Sequence, residues 1–142
     1  MVAAIVFIAV RVTKDLVIAT VPYGTESAVI DHLVWITNIH NSGAAFGLAP
    51  AFAIVFLLAS FGVACGLVAY VFTHRDSVPA DLVLGLVLGG TVGNLFDRVM
   101  FGTVTDFVDL HFWPVFNVAD SAVSTGVVLL LLGYVLRRPK SG

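Results

Sequence analysis

Hydrophobic residues in this chain gather into four long runs separated by short polar stretches, and the lengths of those runs set the first expectation. Residues 51–72 carry no charged side chain and, with Ala49 and Pro50, exceed the roughly 20 residues that cross about 30 Å of hydrocarbon as a helix. They predict a transmembrane helix over 50–72, in which Gly62 and Gly66 have the spacing that permits close helix approach. A second helix is expected over 80–96, where Gly85, Gly89, Gly90 and Gly93 make a small-residue face, and another over 115–136. The run over 2–21 is the weakest, because Arg11, Lys14 and Asp15 interrupt it. Arg11 and Asp15 stand four apart and can pair on one helix face. Lys14 has two readings: it snorkels to the membrane interface, or it points inward at carboxylates.

Between the first two runs the pattern changes. Pro22, Gly24 and Thr25 mark a turn, and residues 29–39 are rich in β-branched side chains around Trp35, which predicts short extended strands outside the membrane. Asn41-Ser42-Gly43 ends that segment, and Pro50 suits the first turn of the following helix. The fold expected is membrane α-helical: one domain over 1–142, with four transmembrane helices and a small extracytoplasmic β-sheet or cradle between helices 1 and 2. The extracytoplasmic segments are 22–48 and 97–114.

Composition supports a membrane setting, since 59% hydrophobic residues and a mean hydropathy of +1.04 lie far above a soluble domain of this size. The first run opens at Val2 and is followed by charge rather than a small-residue cleavage site, so it is expected to stay in the mature protein. A net charge of −2 with no basic stripe excludes a nucleic-acid partner. The single cysteine, Cys65, rules out an internal disulfide and reads as a buried thiol. Basic residues orient the chain: Arg75, Arg137, Arg138 and Lys140 fall on one side and only Arg98 on the other. Both termini are then cytoplasmic, and the aromatic residues Phe101, Phe107, Phe112, Trp113 and Phe116 belong at the outer interface.

Only 11% of residues are charged, yet residues 89–120 hold Asp97, Asp106, Asp109, Asp120 and Arg98, with Asn94 and Asn117 among them. Ionisable groups beside a bilayer core are costly and mark functional sites. Two carboxylates held together share a proton, giving a base and an acid near neutral pH, which suffices to hydrolyse an amide without a metal. Asp106 and Asp120 are the candidate pair. They are 14 residues apart, about 21 Å along one helix, so they meet only if the chain reverses. Pro114 disfavours helix at Trp113 and makes that reversal, with the last helix starting near Val115, Asp120 in its second turn and Asn117 on the same face. Asn94, Asp97 and Arg98 share an edge of the preceding helix, where Arg98 holds Asp97 ionised or positions a pair member. Asp97 with Arg98 reads as a structural ion pair, and Asp109 as a water-facing residue of a short interfacial segment. His32, His40 and His111 lack metal-ligand spacing, so no metal is expected, and Ser42, Ser121 and Ser124 lack a placed base.

At these residues the chain resembles the lipoprotein signal peptidase (signal peptidase II) family. The matching pieces are Asn41-Ser42-Gly43-Ala44-Ala45-Phe46, Gly93-Asn94-Leu95-Phe96-Asp97-Arg98, Gly102-Thr103-Val104-Thr105-Asp106-Phe107 and Phe116-Asn117-Val118-Ala119-Asp120. The resemblance runs from Lys14 to the fourth helix. It implies a bacterial inner-membrane aspartic endopeptidase without a cofactor, which removes signal peptides from diacylglyceryl-modified prolipoproteins just before the lipidated cysteine. It places the dyad at Asp106 and Asp120, with Lys14, Asn41, Asn94, Arg98 and Asn117 in support. The partners expected are the prolipoprotein substrate and membrane lipids, and the enzyme is expected to be a monomer. One departure is Val10, where the family usually has an aspartate four residues before the lysine; Asp15 is the substitute partner expected for Lys14. Another is the short segment between the two catalytic positions. Two other classes fit buried carboxylates: a proton-coupled transporter and a metal-dependent lipid phosphotransferase.

Overall fold

The computed structural model of the chain describes residues 1–42 and 78–136, together with Leu58, Gly62, Cys65, Gly66 and Ala69, which are helical. The rest of the helix expected over 50–72, the polar turn after it and the basic tail lie outside the described residues. Cys65 is exposed, not buried as its apolar neighbours in sequence predict.

Three long helices and one sheet make up the described fold. Helix α1 covers Val2–Thr20 and gives way at Val21 to extended backbone before Pro22, which cannot continue a helix. Helix α2 covers Val78–Phe101, outlasting the expected 80–96 at its C-terminal end, so Asn94, Asp97 and Arg98 ride on helix to its last turns. Gly102 stops it: at φ +75° it adopts the left-handed conformation and its N–H bonds the carbonyl of Arg98 at 3.1 Å. Helix α3 covers Val118–Leu136, three residues later than expected from the position of Pro114.

The sheet has strands β1 (Glu26–Ile30), β2 (Val34–Asn41) and β3 (Val104–Asp109), antiparallel in the order β1-β2-β3. The first two match the expected outer strands. The third replaces the interfacial segment anticipated after Arg98, and pairs Ile39 with Asp106 and Asn41 with Val104. Beyond Asp109 the chain reverses, and Phe116 bonds back to Val108 through N–H to O distances of 2.7 and 3.1 Å. That reversal delivers the start of α3 beside β3.

Helix packing depends on glycine. α2 lies between α1 and α3: a Cβ on Gly89 would come within 2.6 Å of the Ala3 carbonyl oxygen, and one on Gly90 within 2.6 Å of that of Ala119. The distribution of polarity is inverted relative to a water-soluble bundle. Lys14, Asn94, Asp97, Asp106 and Asn117 are buried, whereas Ile5, Ile8, Leu16, Val128 and Leu131 are exposed. So many exposed large apolar side chains mark contact with an apolar phase or partner. Asp81–Phe101, within α2, is among the described residues the one helix long and apolar enough to cross a bilayer.

Candidate active site

The site forms where the C-terminal end of α2, the N-terminus of α3, the end of β2 and the middle of β3 converge. Asn117 is the residue before α3, and its side-chain oxygen accepts from the backbone N–H groups of Ala119 at 2.7 Å and Asp120 at 3.3 Å. Asp120 answers by accepting the Asn117 backbone N–H at 3.0 Å. This reciprocal arrangement has the logic of a capping box. It places Asp120 in the first turn of α3, not the second, where the helix dipole favours a negative charge.

Each carboxylate of the candidate pair is held at both oxygens. Asp106 accepts from the Asn41 amide at 2.9 Å and from the Asn117 amide at 2.6 Å. Asp120 accepts from the Asn94 amide at 2.8 Å besides the Asn117 backbone. Asn94 and Asn117 are themselves joined at 3.2 Å, so one amide pair bridges the two acids. Both acids line one cavity of about 200 Å³, together with Asn41, Asn94, Arg98, Val104, Trp113, Pro114, Val115 and Phe116. Burial pushes the Asp106 carboxyl above the ordinary carboxylate range, and the nearby Asp120 charge adds to this; the two amide donors and Lys14 act against it.

Beneath the cavity lies an ion cluster centred on the buried Lys14 and Asp97, with Arg11 and Asp15 at its outer edge. Lys14 points inward and donates to Asp97 at 2.6 Å and to Asn94 at 2.7 Å. Arg11 pairs with the other oxygen of Asp97 and with Asp15, and its guanidinium stands 5.0 Å from the ring centre of Phe96. Asp97 thus pairs with Arg11 and Lys14, and not with the Arg98 expected from its adjacency in sequence. Among the described residues Arg98 forms no ion pair and lines the cavity instead, because helical geometry points consecutive residues in different directions. Lys14 takes its partners from α2 and not from Asp15, so Val10 leaves it paired; Val10 is itself fully buried.

Asp109 ends β3 half-buried, accepts the His111 backbone N–H at 2.7 Å and does not line the cavity. Phe107, expected at the interface, is buried, whereas Phe112 and Trp113 are exposed. Among the described residues, the cluster able to hold a cation is Glu26, Asp109 and His111, whose ligand atoms lie within 4.8 Å of one another. It sits outside the cavity lining, with His111 stacked 3.7 Å from Trp35 and its ring nitrogen 3.2 Å from Glu26, which makes it a clasp between β1 and the end of β3. The Arg11–Asp15 pair expected from the spacing forms, but the bonds of Arg11 and of the Thr105 backbone N–H to Asp97 carried no sequence signal. The signal available for the cap was Asn117 three residues before Asp120 at the head of an apolar run.

A family model described as signal peptidase (SPase) II, peptidase family A8, matches residues 2–136. The chain belongs to the signal peptidase II family. Among its relatives, a lipoprotein signal peptidase of Syntrophomonas wolfei is 40% identical over 122 residues, covering 86% of this chain and 82% of the relative. A lipoprotein signal peptidase of Halothermothrix orenii is 37% identical over 141 residues, covering 99% and 97%. A solved bacterial membrane enzyme, determined by the in meso method, matches with a TM-score of 0.86 and 31% identity over 96% of this chain and 92% of its own. The signal peptidase II resemblance thus extends from sequence motifs to the whole described architecture, and a membrane location goes with it.

Proposed function

We propose that Asp106 and Asp120 are the catalytic pair with which this signal peptidase II family member cuts signal peptides from lipid-modified prolipoproteins. The observation that carries the reading is two carboxylates facing one cavity, each fixed at both oxygens by amide or backbone donors. Held so, they share one proton, and the buried Asp106 is the member burial favours as its holder. The ionised carboxylate takes a proton from water as the water oxygen attacks the scissile carbonyl. The protonated carboxyl donates to that carbonyl oxygen, and collapse of the tetrahedral intermediate breaks the C–N bond with proton transfer to the leaving amine. Asn41, Asn94 and Asn117 fix the two acids, and Arg98 on the cavity wall offers positive charge to the developing oxyanion.

The chain spans the membrane four times, with both termini cytoplasmic and the cavity at the outer boundary. The excess of basic residues at Arg75 and in the C-terminal tail supports that orientation, as do the exposed Phe112 and Trp113 near the cavity. The substrate's acyl chains remain in lipid while the peptide crosses between the helices and the sheet, just before its diacylglyceryl-modified cysteine. The enzyme works as a monomer.

The deciding experiment is cleavage of a diacylglyceryl-modified prolipoprotein in detergent micelles by the wild type and by Asp106→Asn and Asp120→Asn, with and without chelator. Each variant is expected to be folded and inactive, and chelator to leave wild-type turnover unchanged. Retained turnover in either variant, or loss with chelator, overturns the dyad.

A further inference from the structure

Asp97 is 1% exposed, touches no surface of the cavity, and is the residue through which α1, α2 and β3 are joined. One of its oxygens takes the Arg11 guanidinium; the other takes Lys14 at 2.6 Å and the backbone N–H of Thr105 at 3.3 Å. Thr105 immediately precedes Asp106 on β3. Lys14 donates onward at 2.7 Å to the oxygen of Asn94, which forces the Asn94 amide nitrogen toward Asp120. Two separate arms therefore leave one carboxylate, and each ends at a different acid of the pair.

We infer that Asp97 is a positioning residue for the reaction: it fixes Asp106 through the β3 backbone and Asp120 through Lys14 and Asn94, and tunes the charge both acids feel. This rests on the dyad reading above. The groups facing Asp97 are Arg11 and Lys14 from α1 and the β3 backbone beside Asp106; Arg98 of α2 and Asp120 of α3 lie across the cavity wall, and Asp15 balances Arg11 from outside. β2 contributes the neutral amide of Asn41 to the site, and its His40 is exposed against Tyr23. A misplacement of reacting groups by about 1 Å is enough to cost roughly 100-fold in rate.

The charges give the test a sign. Removing Asp97 leaves two cations beneath the pair, which favours the ionised acids, so Asp97→Asn is expected to move both limbs of the pH profile of kcat/KM to lower pH. Removing a cation does the reverse, so Lys14→Met is expected to move both limbs to higher pH. Both variants are expected to lose on the order of 100-fold in kcat with KM within a few-fold of wild type. Limbs that stay in place, or that move the same way in both variants, overturn the inference, as does a kcat loss that merely tracks the folded fraction. If Asp97→Asn does not fold, the pair Arg11→Gln with Asp97→Asn removes opposite charges together. It is expected to show the same kcat loss, and wild-type kcat in that folded variant overturns the inference. Asp106→Asn and Asp120→Asn assayed alongside separate the two ideas: activity in either defeats the dyad itself, whereas two dead variants beside an unaffected Asp97→Asn defeat only the role of Asp97.

Discussion

Asn117 carries two jobs that substitution can separate. Its oxygen caps α3, and its amide nitrogen reaches Asp106 at 2.6 Å and Asn94 at 3.2 Å. Asn117→Ser keeps a competent cap, since serine and asparagine are comparable there, but is too short to donate to Asp106. Asn117→Ala loses both. The cap contributes about 1 kcal/mol to stability. A hydrogen bond to a charged partner contributes about 1.5–3 kcal/mol, which in the transition state is roughly 10- to 150-fold in rate. Serine is therefore expected to lower kcat/KM by that factor with little change in thermal midpoint. Alanine is expected to lower it equally and to lose about 1 kcal/mol of stability in addition. The assay is prolipoprotein cleavage in micelles beside thermal unfolding of the same samples. Wild-type turnover in the serine variant, or activity in both variants that follows only the folded fraction, refutes the reasoning.

Two further outcomes follow from burial and packing. Because burial raises the Asp106 carboxyl above its unfolded value, that group's contribution to stability is full below the unfolded pKa of about 3.9 and declines as pH rises through the folded value. Asp106→Asn removes that dependence, so the stability of the wild type relative to this variant is expected to fall as pH rises from about 4 through the folded value, about 1.4 kcal/mol for each unit of upward shift. A difference that is flat or rises over that window contradicts it. Gly90→Ala drives a methyl to 2.6 Å from the Ala119 carbonyl oxygen, where backbone must move, and is expected to cost about 1–3 kcal/mol in thermal unfolding while pulling Asn94 from Asp120 and lowering turnover. An unchanged midpoint with full activity would refute the close contact between α2 and α3.

The catalytic candidates were readable because polar residues in an apolar chain have few bland explanations. Asn94, Asp106, Asn117 and Asp120 stood out on cost alone, and the structure brings them onto one hydrogen-bonded network. Partners were harder. Arg98 adjoins Asp97 in sequence, but the pair that forms joins Asp97 to Arg11 and Lys14, more than 80 residues away, a contact that only helix packing decides. β3 escaped notice because Val104–Asp109 is short, carries two aspartates and is buried on pairing with β2, so neither alternation nor propensity marks it. The start of α3 shifted because Phe116 spends its hydrogen bonds on Val108 before the helix begins.

Charge explains how so polar an interior survives under an apolar exterior. Arg11, Lys14 and Arg98 stand against Asp15 and Asp97, which leaves one positive charge for the pair to balance. With both acids protonated the region carries an excess cation, and with both ionised an excess anion. Only the state with one shared proton is neutral, and uncompensated charge beside hydrocarbon is what a membrane penalises most. If the two acids act as the proposed dyad, the same balance of charge favours the one-proton state that amide hydrolysis needs. Val10 fits this arithmetic: a further buried acid there would leave the one-proton state with an extra negative charge, and in its place a fully buried valine packs against the helix carrying Gly93.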